Sequence, residues 1–145
     1  MRLDVTAAKR DNPSMGIAYA QISLGNPLRK DLRPLEIRAL ADTGALYLCI
    51  PEHVRAQLDL EATSSKEVVT ADGKRSICPY VGPLRVTFEN RECYVGAVVL
   101  GDEVLLGAVP MEDMDLAVIP PLRRVVVNPL NPNYATGPAK GFRVD

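Results

Sequence analysis

Alternating apolar and polar residues divide most of this chain into short strands. Between residues 34 and 41, Leu35, Ile37 and Ala39 alternate with charged side chains, which predicts a half-buried strand. The same signals predict further strands over residues 16–24, 48–50, 66–71, 74–80, 84–88, 93–100 and 104–108. Helical signals are confined to residues 51–58 and 110–115, each entered through a proline. The pattern predicts an all-β, barrel-like fold in one domain, with one or two short helices.

Turn residues indicate how these strands connect. Asp72-Gly73 stands between two strand signals, as a two-residue turn does when it closes a hairpin. A second hairpin is predicted around Asn90-Arg91, and Gly82-Pro83 is expected to break the chain between the two hairpins.

The strand over residues 34–41 runs directly into Asp42-Thr43-Gly44-Ala45. Because this strand should end in the core, Asp42 is expected to lie where water is scarce. A buried carboxylate needs hydrogen-bond partners, and the nearest are the Gly44 N–H and the Thr43 hydroxyl. The alternative is an Asx-turn, in which Asp42 accepts a bond from the backbone two residues on and Gly44 supplies a positive φ. On these residues alone the Asx-turn is the simpler interpretation.

Composition narrows the class of protein without choosing a function. The chain has 145 residues, 47% of them apolar, with two Phe and no Trp, so aliphatic side chains must build the core. Seventeen basic against eighteen acidic residues give no electrostatic support for a nucleic-acid partner. The N-terminus lacks a signal-peptide pattern and the apolar runs are too short for a membrane span, which predicts a cytoplasmic protein without a membrane partner.

Other catalytic arrangements are weaker. His53 is the only histidine, so a nucleophilic thiol would have to be paired with it, yet Cys49 lies within an apolar strand and His53 is expected to face solvent. A zinc site would need thiols from distant strands. Glu112, Asp113 and Asp115 are interpreted as partners of a helix dipole, not as metal ligands. No metal and no cofactor is predicted, and the three cysteines are expected to be reduced.

The order of these features resembles the retropepsin-like aspartic proteases. An apolar strand, Asp-Thr-Gly-Ala, a hairpin, Leu105-Leu106-Gly107 and a short helix follow one another as in clan AA, and more narrowly as in its bacterial single-domain branch. The resemblance runs from about Met15 to Gly141. It implies an N-terminal arm over residues 1–14, a retropepsin-like protease domain over 15–128 and a C-terminal tail rich in Pro, Asn and Gly over 129–145.

The resemblance also implies a mechanism and a set of roles. Because the chain holds one Asp-Thr-Gly, it would act as a homodimer in which each subunit contributes Asp42, and the substrate would be a peptide or an unfolded protein. The hairpin would form a flap that closes over an extended peptide. The roles implied are catalytic for Asp42, Thr43 and Gly44, substrate-binding for Ala45, Thr70, Ala71, Asp72 and Gly73, and support beneath the catalytic turn for Leu105, Leu106 and Gly107.

The chain departs from the viral members where they brace the dimer. Their acidic residues after Asp-Thr-Gly-Ala and their arginine after the second glycine are replaced here by Leu46, Tyr47 and Ala108. An exposed strand over residues 123–128 could instead pair with its symmetry mate, the alternative being a closing core strand. The alternative function is a non-catalytic peptide-binding or dimerisation module that retains the fold.

Overall fold

The computed structural model describes residues 17–139 and 141, and these form one sheet of nine strands with two short helices. The strands are β1 Ala18–Gly25, β2 Leu35–Ala41, β3 Leu48–Ile50, β4 Ala62–Val69, β5 Arg75–Phe88, β6 Arg91–Val99, β7 Val104–Leu106, β8 Leu116–Ile119 and β9 Arg124–Val127. The helices are α1 Glu52–Gln57 and α2 Ala108–Asp113, with a 3₁₀ turn at Pro120–Leu122. The arm predicted for residues 1–14 lies outside the described residues, as do residues 140 and 142–145 of the predicted tail.

Six of the strands close into a barrel. The order β5-β6-β3-β7-β2-β1 returns to β5 because β1 also pairs with β5. Strand β4 extends the sheet beyond β5, and the antiparallel pair β9-β8 extends it beyond β1. The predicted fold class is confirmed: the described chain is an all-β barrel with two short helices in a single lobe.

The barrel interior is aliphatic, as the composition requires. In β2 the predicted alternation is confirmed, since Leu35 and Ile37 pack on the core, Ala39 is fully buried, and Glu36 and Arg38 are exposed. The largest fully buried side chains are Ile22, Leu24, Leu48, Ile50, Leu58, Leu60, Leu84, Leu106, Met114, Val54, Val81 and Val86. Burial on one face of β1 and β2 fixes their register, because a slip of one residue would move the apolar set to the other face.

The loop between β4 and β5 differs from the predicted two-residue turn. The Thr70 N–H donates to the Lys74 carbonyl at 2.9 Å, and the Gly73 N–H donates to the Thr70 carbonyl at 2.8 Å. Gly73 has φ 85°, where glycine is favoured. The hairpin therefore closes through three residues, a turn followed by a left-handed glycine.

The expected break at Gly82-Pro83 is wrong. Strand β5 continues through both residues, and its pairing with β6 absorbs them as a register shift between Val81 and Leu84. The second hairpin also turns one residue earlier than predicted, through Glu89-Asn90, because Arg91 already pairs with Phe88.

Both helices are short, and α2 begins two residues before its predicted start. Gly107 precedes its first turn, so Glu112 and Asp113 lie at its end and no acidic residue lies in its first turn. The proposed dipole pairing of these acids is therefore wrong. In α1 the proline at position 51 lies just before the first helical residue.

Strand β9 is not a free edge. It lies between β8 and β1 in the sheet, with Val125 buried, so the closing-strand interpretation of residues 123–128 is the one the structure supports. Within the described residues the two edges of the sheet are β4 and β8.

Candidate active site

Asp42 follows β2 at the point where a parallel neighbour also ends. Strands β2 and β7 pair in parallel with Ala41 opposite Leu106, and the Asp42 N–H donates to the Leu106 carbonyl at 3.0 Å. Since parallel strands finish at the same edge of a sheet, Asp42 and Gly107 leave the barrel side by side. The topology thus joins two motifs that lie far apart in the sequence.

The turn after β2 positions the Asp42 carboxylate through the backbone. The Gly44 N–H donates to Asp42 Oδ1 at 2.9 Å, and the Ala45 N–H donates to the Asp42 carbonyl at 3.1 Å. This bond from Gly44 is the one that both interpretations of the turn predicted, although Gly44 does not adopt the positive φ expected for the Asx-turn. Asp42 is half-exposed, while Thr43 and Gly44 are exposed. The expectation that Asp42 lies where water is scarce is therefore wrong for the single chain.

Gly107 allows the backbone after Asp42 to contact the start of α2 directly. A Cβ at Gly107 would lie 2.3 Å from the Tyr47 carbonyl oxygen and 2.9 Å from that of Ala45. Two bonds cross this contact, from the Ala108 N–H to the Ala45 carbonyl at 2.8 Å and from the Val109 N–H to the Leu46 carbonyl at 2.9 Å. A side chain has no room here, so glycine is required by close approach of two backbones.

The predicted site residues divide into two groups in space. Asp42 to Ala45 lie against Leu106 and Gly107, and Leu105 is half-buried between Leu40 and Cys49 in the sheet. The second group, Thr70 to Gly73, lies at the exposed end of the β4-β5 hairpin, where Asp72 Oδ1 accepts bonds from the Thr70 hydroxyl and from the Lys74 N–H. Those two bonds lower the pKa of Asp72, in keeping with its role as a turn former.

A cluster that the sequence analysis missed links the hairpin to the Asp42 turn. The Lys66 ammonium lies 4.7 Å from the ring centre of Tyr80 and 5.6 Å from that of Tyr47. The two rings meet edge to face at 6.1 Å. Lys66 and Tyr80 belong to the hairpin strands, whereas Tyr47 follows the Asp42 turn, so the base of the hairpin lies beside the candidate site.

The thiol alternative is not supported by its surroundings. Burial raises the pKa of the Cys49 thiol, and the nearby Cys78 and Asp42 raise it further. A nucleophilic cysteine needs the opposite shift. His53 is exposed on α1, as expected, and no group of three or more His, Cys, Asp and Glu side chains within the described residues could hold a metal ion.

A second polar cluster fastens the C-terminal segment and was also missed. Asp115 accepts bonds from the side-chain amides of Asn128 and Asn131 and from the Thr136 N–H, which lowers its pKa. The buried Arg91 donates to the Asn131 carbonyl. Beside this cluster is an open cavity of about 340 Å³, lined by Glu89, Asn90, Val127, Asn128, Pro129 and Pro132, none of them a predicted site residue.

Comparisons with known proteins add little beyond this geometry. No protein-family model and no curated protein matches the chain. A solved structure of the simian foamy virus (mac) protease covers 64% of this chain and 90% of its own at 18% identity, with a TM-score of 0.43. At that identity and score the likeness carries no functional information. None of the described helices is long and apolar enough to cross a membrane.

Proposed function

We propose that this protein is an aspartic endopeptidase of the retropepsin-like type, in the bacterial single-domain branch of clan AA, active as a homodimer on peptides or unfolded proteins. The observation that supports the proposal best is the half-exposed Asp42 turn. At the end of β2, the Asp42 carboxylate accepts one backbone bond, from the Gly44 N–H, and the chain has one Asp-Thr-Gly. A two-fold axis beside Asp42 would supply the second carboxylate.

The chemistry requires the two carboxylates to share one proton. One Asp42 accepts a proton from a water molecule as the water oxygen bonds to the peptide carbonyl carbon, while the other Asp42 donates its proton to the carbonyl oxygen. The resulting diol collapses as the C–N bond breaks and the amine leaves with a proton.

The bond from Gly44 prepares Asp42 for this role. With Oδ1 engaged by the Gly44 N–H, the described residues leave Oδ2 without a donor, open to a partner carboxylate or to water. Thr43 would bond across the axis, and Ala45 would begin the strand against which the substrate lies. The β4-β5 hairpin would close over the substrate as a flap, with Thr70, Ala71, Asp72 and Gly73 at its tip.

Strand β8 offers a way to hold the dimer without the viral-type brace. Its residues Leu116–Ile119 are all apolar and half-buried, and the strand has an unpaired edge within the described residues. The other edge, β4, is polar from Thr63 to Glu67 and includes Lys66, which discourages pairing. In the dimer, β8 would pair with its symmetry mate, in the way that the sequence suggested for the strand over residues 123–128.

Substitution of Asp42 by Asn tests the proposal. Cleavage of an unfolded protein, followed from pH 3 to 8, should fall about 100- to 10,000-fold in Asp42→Asn, the range for loss of a general acid-base group. Sedimentation should show a dimer for both forms. Asp102→Asn, in an exposed loop, is the matched control and should cleave like the wild type.

Two results would contradict the proposal. Cleavage that survives Asp42→Asn would exclude the aspartic mechanism. A wild type that binds peptides but cleaves none at any pH would favour the non-catalytic module, in which the Gly44 bond to Asp42 only shapes a turn.

A further inference from the structure

Lys66 is a half-buried cation without a carboxylate partner in the described part of the chain. It lies on β4 opposite Cys78, on the face of the hairpin that is turned inward. Five salt bridges are formed among the described residues, and none includes Lys66. Its charge is met by the faces of two tyrosine rings, which attract a cation but do not neutralise it.

The rings around Lys66 are held in place by their own contacts. Tyr80 lies against Gly96, where a Cβ would come within 2.3 to 2.6 Å of two ring carbons and the phenolic oxygen. The Thr63 hydroxyl donates to the Tyr80 carbonyl at 3.1 Å, and Tyr47 abuts the Tyr80 ring. We call the two rings around the Lys66 ammonium, those of Tyr47 and Tyr80, the cage. The cage is preorganised, so Lys66 loses little further conformational freedom when it binds a ligand.

The cage is joined to the Asp42 turn through Tyr47 and through the pairing of the strands. Asp42 bonds to Leu106, and Tyr47 contacts the next residue, Gly107, so both ends of the Asp42 turn rest on one short segment. In the sheet, Cys49 pairs with Leu105 on one side and with Val98 on the other, and Val98 pairs with Tyr80 of the cage. An extended peptide that passes between the hairpin and Asp42 would run past the Lys66 ammonium.

We propose that Lys66 is a specificity-determining residue that selects peptides with an acidic side chain close to the scissile bond. The inference rests on the proposed function and names its substrate class. A ring face leaves ammonium N–H groups free to donate, and a substrate carboxylate would supply the missing anion. Asp42 and Lys66 would then act on different groups of one substrate, the peptide carbonyl and a nearby side chain.

Peptides that differ by one residue test this inference. A single Glu is moved one position at a time across the scissile bond and compared with Gln and Lys at the same place. At the best position the wild type should favour Glu over Gln by about tenfold in kcat/KM, as expected for one charge-assisted bond. Lys66→Met should bring that ratio close to one, Lys66→Arg should keep it, and Lys66→Glu should favour Lys. Lys30→Glu, an exposed charge reversal elsewhere, should leave the ratio as in the wild type.

The ratio between peptides separates specificity from a purely structural role. A cage that only stabilises the hairpin would slow all peptides alike on Lys66→Met, and an unchanged Glu-to-Gln ratio would overturn the inference. Equilibrium binding of the same peptides to Asp42→Asn gives a second readout that needs no cleavage. If the wild type proves inactive, the proposed function fails, but peptide binding still tests the inference about Lys66. Equal affinity for the Glu and Gln peptides, or no binding of either, would overturn that inference.

Discussion

Substitution of Gly107 by Ala tests whether the Asp42 turn depends on the close contact with α2. The backbone angles at Gly107, φ −86° and ψ −172°, suit any residue, so alanine meets no torsional strain there. The added Cβ would instead lie 2.3 Å from one carbonyl oxygen, 2.8 Å from a carbonyl carbon and 2.9 Å from a second carbonyl oxygen. All three are backbone atoms, which cannot swing aside as a side chain can.

The loss of stability in Gly107→Ala can be worked out from the contacts that the new Cβ would disturb. Overpacking of a close contact costs about 1–3 kcal/mol. Loss of the bonds from the Ala108 and Val109 N–H groups would cost about 1 kcal/mol each. Alanine restricts the unfolded chain and returns about 0.4–1 kcal/mol. The free energy of unfolding should therefore fall by about 3 kcal/mol, which lowers the melting temperature by about 10 °C for a chain of this size.

Thermal and urea unfolding of Gly107→Ala measure this effect. Gly25→Ala is the matched control, since its Cβ would lie 3.8 Å from the nearest atoms, both of Pro34, an ordinary contact. The control should unfold within about 1 kcal/mol of the wild type. If Gly107→Ala has the same melting temperature as the control, the contact between Gly107 and the turn after Asp42 is not a close one. The supporting role assigned to Gly107 is then refuted.

Two further predictions concern the C-terminal segment and the hairpin. The pKa of Asp115 is lowered by the bonds it accepts, so its contribution to stability is present above the unfolded carboxyl pKa and is lost as pH falls through the lowered value. Thermal unfolding at pH 7 and pH 3 should therefore show a smaller difference for Asp115→Asn than for the wild type, and an equal difference would contradict the assignment. Hydrogen exchange at residues 70–74 should be faster than in β2 and should slow when peptide binds. Protection equal to that of β2 and unaffected by peptide would exclude a mobile flap.

The sequence predicted best what depends on neighbouring residues. Strand β2 and the bond from Gly44 to Asp42 follow from a local alternation and from a turn two residues long. The start of α2 could not be predicted in this way, because it is set by bonds to carbonyls of Ala45 and Leu46, far away in the chain. The half-exposure of Asp42 likewise depends on where β2 ends, beside the end of β7.

The Lys66 cluster shows why side chains from distant strands escape such prediction. A two-residue turn at Asp72-Gly73 would pair Lys66 with Pro79, whereas the observed three-residue loop pairs it with Cys78. A change of one residue in loop length exchanges the side chains that share a face. Tyr47 joins the cluster only because β6 lies between β3 and β5 in the barrel.

Mixing of active and inactive subunits tests the central claim, that each chain supplies half of one catalytic site. Wild type and Asp42→Asn are combined at constant total protein, allowed to exchange subunits, and assayed for cleavage of an unfolded protein. If two Asp42 carboxylates form the site, activity should follow the square of the wild-type fraction and an equal mixture should retain about one quarter. Activity that falls in proportion to the wild-type fraction, to about one half in the equal mixture, would mean that one chain suffices and would contradict the shared site.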